Sequence, residues 1–187
     1  MNAILRTNRL TLRPMEDGDD ELLWPGIADP EVSRLMAWDA HTSKDQTTSF
    51  VKHEVERWRT RRGITWVILW QGEFCGIFSF IGVMRTHRAL RYDRAELAYW
   101  LLPAYRGRGF MTEAAEEALR FGFNEFKLHK VVVSHFAVNQ ESKKLILRLG
   151  FRFVGTQLQE FQKNAVWHDH VLYEMLDYEF AARQPKT

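Results

Sequence analysis

Residues 95–112, AELAYWLLPAYRGRGFMT, constrain most strongly what this chain folds into. The apolar first part predicts a strand over residues 97–102, and Pro103 stops it. The run RGRG at 106–109 follows, and its two glycines allow a tight turn with left-handed backbone. A helical pattern then begins near Phe110. The segment therefore predicts a strand, a glycine turn and a helix in direct succession.

This arrangement favours a phosphate-bearing ligand. The first amides of such a helix have no intrahelical acceptor and lie at the positive end of the helix dipole. A pyrophosphate placed there accepts several charge-assisted hydrogen bonds, and Arg106 and Arg108 add positive charge beside it. The turn matches neither the Gly-x-x-x-x-Gly-Lys-Ser/Thr loop nor the three-glycine dinucleotide fingerprint. A different kind of phosphate loop is indicated.

Residues 106–111, RGRGFM, fit the pattern Arg/Gln-x-x-Gly-x-Gly/Ala, with Met111 in place of the last small residue. The turn resembles the coenzyme A loop of the GNAT superfamily of N-acetyltransferases. Two more blocks resemble its RimJ/RimL-like branch of ribosomal-protein N-terminal acetyltransferases. They are VNQES at 138–142 with LGF at 149–151, and DHVLY at 169–173. The three blocks stand in the family's order, and the resemblance covers nearly the whole chain.

The resemblance implies an α+β GNAT fold: a central, twisted, mostly antiparallel sheet with flanking helices. Two central parallel strands, here those of Glu96 and Val131, splay apart and hold the pantetheine arm in the gap. It also implies an acetyl-CoA-dependent N-acetyltransferase that acts by direct attack of a primary amine in a ternary complex. The acceptor is either a protein N-terminus or a small-molecule amine.

The residues that would bind the coenzyme follow from the turn and from the resemblance. Main-chain amides of residues 106–112 would hold the phosphates, and in the family the residue matching Asn139 bonds the coenzyme arm. From the residues alone, Asn139 and Ser142 are equally an N-cap and a polar first-turn residue of a helix. The predicted coenzyme-binding set is Leu101, Leu102, Arg106, Gly107, Arg108, Gly109, Phe110, Met111, Thr112, Asn139 and Ser142.

Acetyl transfer from a thioester needs a neutral amine, a polarised carbonyl and a proton for the leaving thiolate. Glu96 and Glu160 compete for the role of base, and Glu96 is favoured because it stands at the head of an apolar strand. Glu96 is alternatively a structural partner of a nearby arginine. By resemblance Ser142 is the proton donor to the sulfur, and Tyr173 is its rival.

The remaining pattern predicts one domain over residues 1–187, with a core at about 8–180. Strands are expected at 10–14, 65–70, 74–83, 130–136, 151–158 and 167–176, and helices at 17–27, 30–36 and from Ser43 to Gly63. The 130–136 strand is apolar enough to be buried on both sides. The acceptor pocket is expected from the early helices, the loop 37–42 and the last hairpin, with candidate lining residues Trp24, Trp38, Trp100 and Trp167.

Two arginine clusters stand out, at residues 57–62 and 85–94. The first is expected at the end of a helix and the second in a polar loop, where solvated structural roles are favoured. The second cluster could alternatively recruit an acidic substrate or the 3′-phosphate of the coenzyme. The net charge is only +2 with acids and bases interspersed, so direct nucleic-acid binding is not expected.

Other classes of protein are disfavoured as well. No apolar run approaches a membrane span, and the single cysteine, Cys75, reads as a core residue, which suits the cytoplasm. His168 and His170 share a strand face, but two imidazoles make a poor metal site, and none is predicted. A homodimer through an exposed strand edge is plausible. The alternative to an enzyme is a noncatalytic acyl-CoA-binding or sensing module with the same fold.

Overall fold

The computed structural model describes residues 3–184 as an eight-stranded sheet flanked by helices. The strands are β1 Leu5–Arg6, β2 Leu10–Pro14, β3 Ile64–Trp70, β4 Glu73–His87, β5 Leu90–Leu101, β6 Lys130–Phe136, β7 Arg152–Lys163 and β8 Val166–Leu176. The helices are α1 Asp20–Ile27, α2 Pro30–Ser33, α3 Lys44–Arg59, α4 Phe110–Asn124, α5 Gln140–Arg148 and α6 Asp177–Arg183. Among the described residues, no helix combines the length and apolar character of a membrane span.

The strands lie in the order β1-β2-β3-β4-β5-β6-β8-β7, and every neighbouring pair is antiparallel except β5 and β6. The parallel pairing runs only from Arg94 opposite Lys130 to Glu96 opposite Val132. Beyond it β5 continues to Leu101 and β6 to Phe136 without pairing to each other. The predicted mixed sheet with a splayed parallel pair is confirmed.

Two hydrophobic clusters cover the two sides of the sheet. On the α4 face, Trp66, Phe78 and Phe80 pack with helix α4, and the Trp66 indole donates to the Ala3 carbonyl at 2.7 Å. On the α1–α3 face, residues from the intervening strand positions pack with the early helices; they include Val67, Ile77 and Trp100. Because side chains alternate along a strand, this division fixes the face to which each residue of β5 and β6 belongs.

The local boundaries of several elements match the sequence pattern. Helix α3 starts with a capping box in which Ser43 accepts from the amide of Gln46. Strand β6 has the predicted bounds, but its alternate residues, such as Val132 and Ser134, are half-buried, so the strand is fully covered on one side only. Cys75 is buried in the core as expected, and burial raises the pKa of its thiol.

The sequence predicted a polar loop for the second arginine cluster, and this prediction is wrong. Strands β4 and β5 continue through it as one long hairpin that turns at Arg88, where φ is +54°. Asp93, buried by its neighbours, accepts hydrogen bonds from Arg85 at 3.3 Å and from Arg91. The hairpin tip lies at the opposite end of β5 from the glycine turn at residues 106–109, called the phosphate turn from here on, and the rise of a strand puts the two roughly 30 Å apart. That position does not suit contact with the coenzyme's 3′-phosphate.

Candidate active site

The phosphate turn forms as the sequence predicted. A short 3₁₀ turn over Pro103–Tyr105 follows β5, and Gly107 and Gly109 then take φ values of +72° and +77°. Gly109 is the N-cap of α4, and no side chain of the described residues caps this helix end. The first amides of α4 are therefore directed to the cleft beside the turn, at the positive end of the helix.

The turn between β1 and β2 holds this phosphate turn in place. Glu113, in the first turn of α4, accepts from the Thr7 hydroxyl at 2.5 Å, the Arg9 amide at 2.9 Å and the Arg9 guanidinium at 2.6 Å. The guanidinium also donates to the Arg108 carbonyl at 3.0 Å. Nothing in the sequence predicted this contact, because about a hundred residues separate its partners.

A cleft of about 550 Å³ opens beside the turn. Its walls come from α2 and the residues after it, the end of β5, the phosphate turn with the start of α4, and α5. Of the predicted coenzyme-binding residues, those lining the cleft are Leu101, Arg106, Gly107, Gly109, Phe110, Met111, Thr112, Asn139 and Ser142. Leu102 and Arg108 lie outside the lining, and the Arg108 guanidinium covers the Trp70 ring at 4.8 Å instead.

Arg106 faces both the turn and the opposite wall. Its Nε donates to the Leu101 carbonyl at 3.1 Å, and its guanidinium lies 3.5 Å from Glu31 of α2. The Nε of Arg34 also lies 3.1 Å from the Glu31 carboxylate. Arg34, and to a smaller extent Arg106, lower the pKa of the Glu31 carboxyl. The cleft wall at this point thus pairs two cations with one carboxylate, leaving an excess of positive charge beside the helix terminus.

Helix α5 brings Ser142 to the cleft. Its N-cap, Asn139, accepts from the Ser142 amide at 3.1 Å, which is the structural role that the sequence allowed for these residues. The Ser142 hydroxyl lies 2.9 Å from the phenol oxygen of Tyr99, and both residues line the cleft. Burial raises the pKa of Tyr99 to about 12, although the contact with Ser142 lowers it. Tyr99 was not singled out from the sequence; strand alternation places it on the α4 face, stacked on Phe78.

Glu96 lies on the other face of the sheet, at the point where the parallel pairing ends. The Ser134 hydroxyl of β6 donates to its carboxylate at 3.4 Å. The gap between β5 and β6 therefore has Tyr99 and Ser142 on the α4 face and Glu96 and Ser134 on the α1–α3 face. Ser134 was missed by the sequence analysis, since only the strand register brings it to Glu96.

The two rival candidates lie elsewhere. Tyr173 is buried within the α4-face core, where its hydroxyl lies 3.4 Å from His135 Nε2 and burial raises its pKa. It does not line the cleft. Glu160 is exposed on β7 beside an irregularity in the β7–β8 pairing, and its charge acts on His170. Burial lowers the pKa of the His170 imidazole, and the negative charge of Glu160 partly opposes this shift.

Aromatic rings surround the α1–α3 face of the gap. Trp38 and Trp100 lie 6.4 Å apart, and across the gap Phe136 stacks on His168 at 5.0 Å. Phe161 meets His170 edge-on at 4.8 Å. Among the described residues no group of three or more His, Cys, Asp or Glu side chains could hold a metal ion. Of the other predicted pocket tryptophans, Trp24 is half-buried on α1 and Trp167 is 54% exposed on β8.

Lys163 connects the hairpin that carries Phe161 and His168 to the loop that carries Trp38. It lies near the tip of the β7–β8 hairpin, and its ammonium donates to the carbonyls of Ser33 at 2.8 Å, Met36 at 2.9 Å and Trp38 at 2.6 Å. The Asp39 carboxylate is 3.3 Å away. The hairpin tip is therefore tied to the loop after α2, and the α1–α3 side of the gap is bridged by this contact.

Known proteins agree with this architecture. The acetyltransferase (GNAT) domain family matches residues 9–152. The uncharacterized N-acetyltransferase YoaA of Bacillus subtilis (strain 168) is 28% identical over 178 residues, which are 94% of this chain and 98% of that protein. The spermidine N(1)-acetyltransferase of Escherichia coli (strain K12) is 26% identical over 173 residues, 91% of this chain and 88% of that protein.

The solved structures show the same fold. RimL, a ribosomal L7/L12 alpha-N-protein acetyltransferase in complex with coenzyme A, superposes with a TM-score of 0.85 at 20% identity, covering 92% of this chain and 97% of that one. The family match spans the phosphate turn, the splayed strands and helix α5. The chain belongs to the GNAT acetyltransferase family and is an N-acetyltransferase.

Proposed function

We propose that this protein transfers the acetyl group of acetyl-CoA to a primary amine by direct attack in a ternary complex. The observation that carries the proposal is the gap between β5 and β6, which separates two pairs of proton-handling groups. Tyr99 and Ser142 stand on one face of the sheet, and Glu96 and Ser134 on the other. A thioester in the gap would meet the acceptor from one side and a proton donor from the other.

The described residues fit the coenzyme as a substrate. The uncapped start of α4 and the two left-handed glycines offer backbone amides to a pyrophosphate, with Arg106 beside them. The exposed edges of β5 and β6 beyond Glu96 offer main-chain groups to the amide-containing arm. Asn139 and Ser142 at the start of α5 complete this side of the cleft.

Glu96 is proposed as the base that accepts a proton from the acceptor amine. It lies at the end of the parallel pairing, on the face that the aromatic rings surround, and Ser134 orients its carboxylate. Glu160 remains the rival, because it lies beside His170 on the same side of the molecule. If Glu96→Gln retained full turnover across the pH range and Glu160→Gln did not, the roles would be reversed.

Ser142 is proposed as the donor to the departing thiolate, with Tyr99 as its hydrogen-bond partner. Both line the coenzyme cleft, whereas Tyr173 lies in the core outside the lining. The bond between sulfur and the acetyl carbon breaks as the amine nitrogen bonds to that carbon, and the thiolate takes up one proton while the amine loses one. The net products are an amide and free coenzyme A.

The acceptor side offers aromatic surface to an amine. The apolar and π surface that an ammonium group would meet there comes from Trp38, Trp100, Phe136 and Phe161. The relatives and the fold neighbours include a spermidine acetyltransferase and a protein N-terminal acetyltransferase. Protein N-termini and small polyamines are therefore the two acceptor classes to compare.

Thermal denaturation with acetyl-CoA, coenzyme A, NAD and ATP tests the coenzyme assignment. A ligand held at a hundred times its Kd stabilises the fold by about 2.7 kcal/mol. Stabilisation by acetyl-CoA and coenzyme A alone is expected. Release of free thiol with a panel of peptides and polyamines then tests transfer, and binding of acetyl-CoA without thiol release for any amine would contradict the transferase proposal.

A further inference from the structure

Arg9 lies in the turn between β1 and β2, and its side chain packs against the backbone of the phosphate turn. Its Nη1 donates to the Arg108 carbonyl at 3.0 Å, and its guanidinium carbon lies 4.8 Å from the centre of the Phe110 ring. A Cβ atom built on Gly109 would stand 3.5 Å from Nη2 of Arg9. Arg9 does not line the cleft, so it contacts the turn from the side away from the coenzyme site.

The side chain of Arg9 is fixed by Glu113 of α4. The Glu113 carboxylate accepts from the Arg9 amide at 2.9 Å and from its Nε at 2.6 Å, so one carboxylate holds both the backbone and the guanidinium of the same residue. The Thr7 hydroxyl donates to this carboxylate at 2.5 Å. Charge-assisted hydrogen bonds are stronger than neutral ones. The guanidinium is therefore held in place before any ligand binds.

The phosphate turn has less rigidity of its own. Gly107 and Gly109 flank Arg108 with positive φ values, but glycine adopts negative φ about as readily. The peptide between Arg108 and Gly109 can therefore turn over. If the Arg108 carbonyl turned towards α4, it would accept from the amide of Thr112, four residues later. Helix α4 would then begin one residue earlier, and the cleft that Thr112 lines would lose this amide.

We propose that Arg9 is a positioning residue for the coenzyme, because its hydrogen bond to the Arg108 carbonyl keeps the amides of the phosphate turn directed at the pyrophosphate. A trans peptide directs its C=O and N–H to opposite sides, so the bond to Arg9 turns the Gly109 amide away from Arg9. Within the described residues, the amides of Gly109 and Thr112 donate to no backbone carbonyl. The inference rests on the proposed function, since the pyrophosphate is that of the coenzyme.

Arg9 acts through geometry and not as a direct phosphate ligand. Its charge is paired with Glu113, and its guanidinium lies outside the cleft lining. Loss of Arg9 should therefore weaken only ligands that carry the pyrophosphate. A general loss of structure at the cleft would weaken every ligand that enters it.

Binding titrations of the full chain with coenzyme A and with pantetheine test this inference. Pantetheine has the thiol arm but lacks the pyrophosphate and the nucleotide. For Arg9→Met, the Kd of coenzyme A should rise about tenfold, as expected for the loss of one hydrogen bond to a charged group. The Kd of pantetheine should stay unchanged. Arg9→Lys retains a donor for the carbonyl and should give a smaller rise for coenzyme A.

Arg120→Met is the matched control. Arg120 is 48% exposed and pairs with Glu117, much as Arg9 is 45% exposed and pairs with Glu113. Arg120 stands in the second half of α4, away from the phosphate turn, and does not line the cleft. Both Kd values of this variant should equal those of the wild type. Urea denaturation of each variant identifies conditions in which all are folded, so that unfolding is not read as lost affinity.

An equal Kd for coenzyme A in the wild type and Arg9→Met would overturn this inference and leave the proposed function intact. A rise by the same factor for coenzyme A and pantetheine would overturn it as well, by showing that Arg9 only supports the fold of the cleft. A wild type that does not bind coenzyme A would contradict the proposed function and the inference together. Both titrations measure binding alone, so they do not depend on acetyl transfer.

Discussion

The hydroxyl oxygens of Tyr99 and Ser142 lie 2.9 Å apart and connect strand β5 to helix α5 at the cleft beside the start of α4. Burial raises the pKa of Tyr99 to about 12, so the phenol stays protonated near neutral pH. When Tyr99 donates its hydrogen to Ser142 Oγ, the hydrogen of Ser142 is left to point elsewhere. In that arrangement the serine proton is free for the cleft, where the proposed reaction needs it.

Replacing either member of the pair should lower turnover more than coenzyme binding. Ser142→Ala removes the proposed donor and should lower kcat by about 10²-fold, as for loss of general-acid catalysis. Tyr99→Phe removes one hydrogen bond and should lower kcat about tenfold, which corresponds to about 1.4 kcal/mol. The KM for acetyl-CoA should change little in both variants. Steady-state kinetics measured with a reactive amine acceptor provide the check.

Two controls separate this mechanism from a structural effect. The double variant should be no slower than Ser142→Ala, because Tyr99 acts through Ser142. Tyr173→Phe, which alters a phenol outside the cleft lining, should retain kcat. A greater loss of kcat in Tyr173→Phe than in Ser142→Ala would assign the donor to Tyr173.

Gly109 should matter for coenzyme affinity through its backbone. Its φ is +77°, where an L side chain costs roughly 1–2 kcal/mol. Gly72, with φ of +87° in the β3–β4 turn, is a matched control, since an added Cβ there meets no atom within 4 Å. Gly109→Ala and Gly72→Ala should lose similar stability in urea denaturation. Only Gly109→Ala should weaken coenzyme A in a binding titration, and equal affinity in the two variants would contradict a backbone role for the turn.

Local signals in the sequence predicted the phosphate turn and much of the fold. Residues close together in the chain determine the glycine turn at 107 and 109, the start of α4 at Phe110 and the cap at Asn139. Strand β6 was predicted with its full bounds for the same reason. Such features depend on backbone conformations that only certain residues favour, so pattern and propensity are enough to find them.

Contacts between distant segments were not predictable. The extension of the β4–β5 hairpin through the arginine cluster is stabilised by Asp93, which accepts from arginines of both strands. Tyr99 reaches Ser142 only because the splayed strands and α5 converge, and Lys163 finds its carbonyl partners more than a hundred residues away. A single sequence carries no local signal for such contacts, since their partners are chosen by tertiary packing.

The buried His135 should make stability depend on pH in the weakly acidic range. Burial and the nearby Lys143 lower the pKa of this imidazole, whereas the bond to the Phe136 carbonyl at 2.7 Å raises it in part. An unfolded histidine has a pKa of about 6.5, so the unfolded state binds the proton more readily. The stability contributed by neutral His135 is thus present above that pH and is lost as the pH falls below it.

Urea denaturation between pH 5 and pH 8 measures this effect. The wild type should lose stability below about pH 6.5, and His135→Gln should have a shallower slope there. His41 and His170 also have pKa values lowered by burial, so part of the slope should persist in the variant. An identical slope in wild type and His135→Gln would show that His135 does not cause the loss.

Lys163 is only 10% exposed and donates to three carbonyls of the loop after α2. Lys163→Met keeps the aliphatic stem but leaves those carbonyls without the ammonium, so the free energy of unfolding should fall by about 2 kcal/mol. The loop carries Trp38 on the side of the gap proposed for the acceptor, and release of the loop should raise the KM for the amine while leaving the KM for acetyl-CoA unchanged. Lys44→Met, which removes an exposed ion pair with Glu21, is the control and should change neither quantity measurably. An equal rise in both KM values would instead mean that the hairpin contact supports the coenzyme cleft, and the acceptor site would then have to be sought away from the loop that Lys163 holds.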